Sequence, residues 1–381
     1  MDMIYLDNAA SSWPKPPEVA EAVKQAIEDA GANPGRGGHQ LARKAEGIID
    51  RTRGQLAELF DVRDAQHLFF CFHTTHAINQ AIKGLLDEGD HLIITGWEHN
   101  AVARPAFWLQ ENSGVDVSIV DVGSGKDWVS AIKKEVRSNT RLIVTIHGSN
   151  VTGECLPVLE IGEYARQRGI YYLVDAAQTA GLYPYQLDRM PIDLLAFPGH
   201  KGLFGPQGTG GLYTAPHVPL RPLFQGGTGT KSEDVKQPLN RPTGFESGTP
   251  NTPGIAGLGK GVEFLLKVGI DSVYEHEKAL TKRLWEGLRE IEEVQLVTDQ
   301  LPQLPVVSLN IRGVDANEVA VILDQHYQMA VRAGFHCAAL RHRGLKTDAG
   351  AVRVSPGYFN TEDEIDQFVG AIREISRAYS L

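Results

Sequence analysis

The chain has 381 residues, 42% of them hydrophobic and 22% charged, with a formal net charge of −10. That is room for two domains and a large core, an ordinary globular composition, and the wrong sign of charge for a nucleic-acid or anionic-membrane partner. Three cysteines are too few for a disulfide framework, residues 1–6 make no export signal and no apolar run is long enough to span a membrane, so a cytoplasmic location is expected.

Residues 4–10 read as a short strand ending in a polar turn, and Trp13-Pro14-Lys15-Pro16-Pro17 keeps a helix from starting early. A helical pattern covers 18–30 and stops at Gly31. The Gly-rich loop 33–39 lets backbone approach a ligand closely and leads into a second helix over 40–60. Strands over 68–72, 92–95, 115–120, 142–146, 171–174 and 192–197 then alternate with helices over 76–86, 101–110, 128–136 and 159–168. This alternation predicts an α/β fold, a mostly parallel sheet with helices on both faces. A further strand lies at 212–213, and 216–253 is irregular and rich in Gly, Pro, Thr and Asn, a length more often functional than idle. Helices over 254–266, 270–291, 316–325 and 361–379, with strands near 306–311 and 329–332, predict a smaller α+β unit. Its last helix opens on a capping box, Thr361-Glu362-Asp363-Glu364. The expected division is a large domain over 13–265 and a smaller one built from 1–12 and 266–381.

In an open α/β sheet, ligands bind beyond the carboxyl ends of the strands. Asp175 ends one predicted strand, and Lys201 follows the next in Pro198-Gly199-His200-Lys201. Such a pair serves pyridoxal 5′-phosphate (PLP), which needs a lysine for a Schiff base and an acid to keep its pyridine nitrogen protonated; the plainer reading is a surface lysine and a capping aspartate. Thr74 and Thr75 open a helix and suit a phosphate or simple capping. His99, past the strand 92–95, suits stacking on a flat cofactor or a loop cap. Asn150, past 142–146, suits a carboxylate, a ring hydroxyl or a turn. Arg353 is a charge in an apolar strand-like run, which a bidentate carboxylate contact or an ion pair would explain. Cys337 lies in a loop five residues after Arg332, where cationic neighbours favour a thiolate, whereas Cys71 reads as a core thiol and Cys155 has no such support. Lys231 does not complete a phosphate-binding Gly-Lys motif, no dinucleotide fingerprint is present, and His73 with His76 lacks the companions of a zinc site, so no metal is expected.

Taken together, Leu6-Asp7-Asn8-Ala9-Ala10, Asp175-Ala176-Ala177-Gln178, Gly199-His200-Lys201, Gly248-Thr249-Pro250-Asn251 and Arg332-Ala333-Gly334-Phe335-His336-Cys337-Ala338 make the chain resemble the class V aminotransferases of PLP fold type I. It looks most like their cysteine desulfurase and selenocysteine lyase branch. The resemblance implies a large, mostly parallel seven-stranded-type sheet domain and a smaller α+β domain carrying the cysteine loop. It implies that Lys201 holds PLP, Asp175 pairs with the pyridine nitrogen, Gln178 reaches the ring oxygen and His99 stacks on the ring. Thr74, Thr75 and His200 would bind the phosphate, and Thr249 would do so from the neighbouring subunit of a homodimer. Asn150 and Arg353 would hold the substrate carboxylate, with His39 and Arg332 near the substrate. Lys201, Cys337 and His99 are the implied catalytic residues, Cys337 as sulfur acceptor.

The implied reaction converts L-cysteine to L-alanine and passes sulfur through a Cys337 persulfide to an acceptor protein or small thiol. L-selenocysteine cleavage, or an aminotransferase or epimerase reaction on another amino acid, is the alternative. One departure stands out. Branch members commonly carry Ser or Thr before Gly-His-Lys as a phosphate contact, and here Pro198 has no side-chain donor. The short stretch between Cys337 and Arg353 resembles the short-loop branch and implies reliance on a separate acceptor protein.

Overall fold

Seven strands make the central sheet of a computed structural model that describes residues 3–35, 38–123, 127–230, 233–345, 347 and 349–379. Met1, Arg36 and Gly37 of the expected Gly-rich loop, and Lys231 lie outside the described residues. The strand order is Leu68–Cys71, Gly210–Thr214, Leu194–Pro198, Tyr171–Asp175, Thr140–Ile146, His91–Thr95, Asp116–Val120. Gly210–Thr214 runs antiparallel to both neighbours, and every other pairing is parallel. The inner strands read as unbroken apolar runs because helices cover both faces; all five residues of His91–Thr95, Leu194–Pro198 and Gly210–Thr214 are buried. Gly211 is dictated by packing, since a Cβ there would collide with the Phe197 ring.

A second core forms around an antiparallel sheet ordered Arg332–Gly334, Ala351–Val354, Val307–Ile311, Val294–Leu296. Leu284, Leu288, Leu309, Val319, Leu323, Phe368 and Ile372 fill it from the sheet and from the helices Ile270–Arg289, Ala316–Tyr327 and Glu362–Tyr379. The capping box closes reciprocally: Thr361 N–H donates to Glu364 Oε2 at 2.9 Å and Glu364 N–H to Thr361 Oγ1 at 3.3 Å. The N-terminal strand Ile4–Tyr5 pairs with Met329–Ala330 and sends Ile4 and Leu6 into this core.

Three readings of the sequence change. The single strand expected near 329–332 is two, because Met329–Ala330 pairs with the N-terminus and Arg332–Gly334 with Ala351–Val354. The strand Val294–Leu296 and the helix Ala339–Leu345 are short and were not anticipated. The helix expected from 76 starts at Thr74, which brings both threonines into its first turn. No helix among the described residues is long and apolar enough to cross a membrane.

A buried charged pair, Arg53 with Glu246, helps tie the irregular segment after Thr214 to the sheet. Arg53 donates to Glu246 through Nη1 at 2.6 Å and Nη2 at 2.9 Å, and also to the Leu68 carbonyl at 2.7 Å. Phe70 N–H donates to Glu246 Oε1 at 2.6 Å. With the side chains only 9% and 17% exposed, removing one partner strands the other charge out of water. Glu246→Ala should therefore cost about 3–5 kcal/mol in denaturant unfolding. The Arg53→Ala/Glu246→Ala double variant should cost less than the two single variants summed; additive costs would show that the pair is not coupled.

Candidate active site

Parallel pairing brings several strand ends to one edge of the large sheet. Ile146 pairs with Asp175, and Asp175 with Ala196, five positions before Lys201. The ladder continues past the strand end: His147 N–H donates to the Asp175 carbonyl at 3.0 Å and Ala176 N–H to the Ala196 carbonyl at 2.9 Å. Asp175 is thereby locked in place. Pro198 and Cys71 both lie opposite Gly210, so the turn into the helix Thr74–Leu85 leaves from the same edge.

At this edge lies a cavity of about 210 Å³. It brings together Thr74, Thr75, His99, Asn150, Asp175, Gln178, His200, Lys201, Arg332 and Arg353, with Ala9, Ala10, His73 and His336. Two wider clefts, of about 840 and 950 Å³, gather none of these residues. Size alone does not mark the site; convergent polar groups do.

Burial pulls the Lys201 amine well below the ordinary lysine range; Arg353 adds to this and Asp175 opposes it. Burial pushes the Asp175 carboxyl up, opposed by the Ala177 N–H and by Lys201. That N–H donates to Asp175 Oδ1 at 2.9 Å. Burial, followed by the charge of Lys201, brings His99 down to about 4, so its ring is neutral. His99 Nδ1 accepts from Ala101 N–H at 3.0 Å, which places the ring proton on Nε2. His99 is thus a helix cap and a wall of the cavity at once. His200, also at about 4 through burial and then Lys201, is neutral as well.

The cap before Thr74 is His73, whose Nδ1 accepts from His76 N–H at 3.1 Å. Capping therefore does not explain the two threonines. Gln178 Nε2 donates to the Ala9 carbonyl at 3.1 Å. Arg353, 1% exposed, donates to Asp7 Oδ1 at 2.7 Å and to the Asn150 carbonyl at 3.2 Å. The ion-pair reading of Arg353 thus holds within the chain, while its Nε has no partner. Asn150 Nδ2 donates to the His336 carbonyl at 2.8 Å and leaves Oδ1 unpaired. His200 Nδ1 is a third buried polar atom without a partner. Unpaired groups on residues that line one cavity are what a polar ligand would satisfy.

Cys337 is exposed, and Arg332, which lines the cavity, donates to its Sγ at 3.3 Å. His336 and Cys337 both have left-handed backbone, with φ of 49° and 57°. Asn100 N–H holds the Cys337 carbonyl at 2.7 Å. The following helix is pinned by Arg341, which pairs with Glu154 at 2.6 Å and lies 3.7 Å over the Trp97 ring. Burial raises the thiols of the other two cysteines, Cys155 to about 12 and Cys71 further still.

Two expected residues lie elsewhere in the chain. His39 does not line the cavity; it caps the helix Gln40–Leu59 by accepting from Ala42 N–H at 3.3 Å. Thr249 lines a separate small cavity beside Phe72, His76 and Phe224. The sequence reading missed Asp7, Arg341 and Glu98. Glu98 is fully buried, accepts from Thr95 Oγ1 at 2.5 Å and Ile146 N–H at 2.9 Å, and is pushed up to about 8, chiefly by burial. Its position at a strand end, just before His99, was the available signal; Asp7 and Arg341 act on partners far away in sequence.

The sequence model of the Aminotransferase class-V family matches residues 4–368. A probable cysteine desulfurase from Methanothermobacter thermautotrophicus is 36% identical over 385 residues, 98% of this chain and 95% of that protein. A probable cysteine desulfurase from Pyrococcus abyssi is 33% identical, over 99% of this chain and 95% of that protein. The apo structure of a cysteine desulfurase from Thermococcus onnurineus NA1 superposes with a TM-score of 0.92 at 32% identity, covering 99% of this chain and 95% of that one. The cysteine desulfurase CsdA from Escherichia coli gives 0.89 at 25% identity, with the same two coverages. A cavity ringed by strand ends, a family match over nearly every residue and a shared overall fold make this chain a member of the class-V aminotransferase family.

Proposed function

We propose that the chain is a PLP-dependent cysteine desulfurase that converts L-cysteine to L-alanine and receives the sulfur on Cys337. The observation that carries this reading is Arg332, which reaches from the wall of the Lys201 cavity to the Cys337 sulfur. The donor set fits PLP. A carboxylate held at a strand end, a lysine whose amine burial favours in its neutral form, a flat neutral imidazole and an unpaired His200 Nδ1 are the partners such a group needs. Thr74 and Thr75 in the first turn of a helix suit the phosphate, and Thr249 would add to it from a second copy in a homodimer. His200 Nδ1 is the group in this chain best suited to replace the donor that Pro198 lacks. When bound, PLP supplies an electron sink that makes the substrate Cα–H acidic and its Cβ–S bond breakable.

The chain's own residues do the rest. Arg353 and Asn150 hold the substrate carboxylate, with Arg332 near the substrate. Lys201 Nζ would take the Cα proton and later return protons as general acid. His99, with its proton on Nε2, would stack on the bound ring and serve as the third catalytic group. The Cys337 thiolate attacks the substrate sulfur. The Cβ–S bond breaks and an S–S bond forms; the substrate carbon is reduced to a methyl group as the Cys337 sulfur is oxidised, so no outside oxidant is needed. An acceptor protein or small thiol then collects the outer sulfur. We assign the cofactor groups to a domain over 13–265 and the cysteine loop to one formed by 1–12 and 266–381.

Incubation with L-cysteine should yield alanine together with a protein thiol heavier by one sulfur atom; a keto acid or D-isomer instead would move the chain to another reaction of its family. Lys201→Ala should lose the visible absorbance of bound cofactor and all turnover, and retained activity would defeat the assignment. Cys337→Ala should still bind PLP and cysteine yet form no persulfide; mass spectrometry that finds the extra sulfur on Cys71 or Cys155 would reject the role of Cys337. In protein stripped of PLP, the rate of aldehyde capture at Lys201 should rise with pH and level off well below the ordinary lysine value of about 10.4, because burial stabilises the neutral amine. A midpoint at the ordinary value would show that the amine is not desolvated.

A further inference from the structure

We propose that residues 7–15 form a positioning strap, with Lys15 as its lock, that fixes the His200–Lys201 peptide at the floor of the cavity. The inference rests on the PLP reading above. The His200 carbonyl lies within hydrogen-bonding distance of several strap donors: Lys15 Nζ at 2.8 Å, Ser12 N–H at 3.1 Å and Ser11 Oγ at 3.2 Å. A carbonyl oxygen offers two lone pairs, so the short, charged Lys15 contact is the strongest of the set. The Ser12 hydroxyl has one proton, and its shorter contact is to the Lys201 carbonyl at 2.9 Å rather than to His200 at 3.3 Å. Lys15 in turn donates to Ser12 Oγ at 2.8 Å. Both carbonyls flanking the reactive side chain are therefore held by the strap.

The same nine residues reach the opposite wall. Asp7 pairs with Arg353 at 2.7 Å, and the Ala9 carbonyl accepts from Gln178 Nε2 at 3.1 Å. Asn8 and Ala9 also fasten the strap to Ser355, two residues beyond Arg353, through Asn8 N–H at 3.2 Å and Ala9 N–H at 3.0 Å. One continuous segment thus sets the distance between the lysine that would carry the aldehyde and the arginine that would carry the substrate carboxylate. Lys15 is mostly buried, and burial lowers its amine to about 8, so it remains protonated at neutral pH. A buried ammonium is kept only where acceptors satisfy it, and its acceptors here belong to the strap and the lysine loop.

The test uses full-length protein stripped of PLP and then recharged. Three readouts are taken: the rate at which bound-cofactor absorbance appears, the labelled lysine mapped by mass spectrometry after borohydride reduction, and kcat and KM for L-cysteine. Lys15→Met should slow capture at Lys201 and lower kcat by about tenfold, the effect of losing one charge-assisted hydrogen bond, while KM stays within about twofold. Lys15→Arg, which keeps the charge and the donors, should restore most of both. Capture and kcat at wild-type level in Lys15→Met would overturn the proposal. So would a failure of Lys15→Arg to recover, or label mapped to Lys15 itself. Should Lys15→Met not fold, Ser12→Ala carries the test, with a smaller slowing expected and a wild-type rate overturning. Wild-type protein that takes no label at Lys201 would overturn the PLP reading, and the strap with it.

Discussion

One lysine, two arginines and an aspartate share a single cavity, and the remaining geometry serves their charge balance. Lys201, Arg332 and Arg353 face Asp175, with Asp7 answering Arg353 from behind. Three histidines on the walls, His99, His200 and His336, are kept neutral by burial. Glu98, pushed up to about 8, adds no firm negative charge beneath them. The cavity is therefore short of negative charge, and a ligand bearing a phosphate and a carboxylate would complete it. Burial favours neutral Lys201 and neutral Asp175 alike, so each group's charged form depends on the other.

Much of this was legible in the sequence because strand ends are. A strand buried on both faces reads as an unbroken apolar run, and a polar residue that closes such a run stands at the sheet edge; Asp175, His99 and Lys201 were found in that way. The threonines at 74 and 75 were legible as a helix start, but not the fact that His73 takes the cap and leaves them free for other work. Capping geometry depends on one side-chain rotamer, which composition does not encode. Asp7 with Arg353 and Arg341 with Glu154 were illegible for a different reason. Their partners lie 346 and 187 residues away, and only the folded topology brings them together. The strand expected near 329–332 failed similarly: an apolar run does not say that its two halves pair with different sheets.

The cysteine loop shows how the second core is brought to the first. Two successive non-glycine residues with positive φ cost about 1–3 kcal/mol each, and such a conformation persists only where its surroundings impose it. Here the surroundings are identifiable. Asn100 and Asn150 hold the carbonyls of Cys337 and His336, and Arg341, stacked on Trp97 and paired with Glu154, anchors the helix that follows. The groups that do the holding, Trp97 and Asn100 after His91–Thr95 and Asn150 and Glu154 after Thr140–Ile146, follow strands of the large sheet at the edge that carries His99 and Asp175. The thiol is thus positioned by segments that leave the large sheet beside the Lys201 cavity rather than by the sheet to which the preceding strand, Arg332–Gly334, belongs.

The N-terminal segment fastens the same two bodies from the other side. Ile4 and Leu6 are buried in the second core, while Ser12 and Lys15, only a few residues on, are bonded to the lysine loop of the first. Displacing one core relative to the other would have to break either the cysteine-loop anchors or the strap, and each consists of several hydrogen bonds to backbone carbonyls. Backbone acceptors cannot rotate away as side chains do, so the two fastenings hold distance as well as contact. Together with the bonds of Gln303, Leu304 and Ser308 to Gly153 and Val151, these two stretches of chain hold Lys201 and Cys337, between which sulfur transfer would run, in a fixed relation.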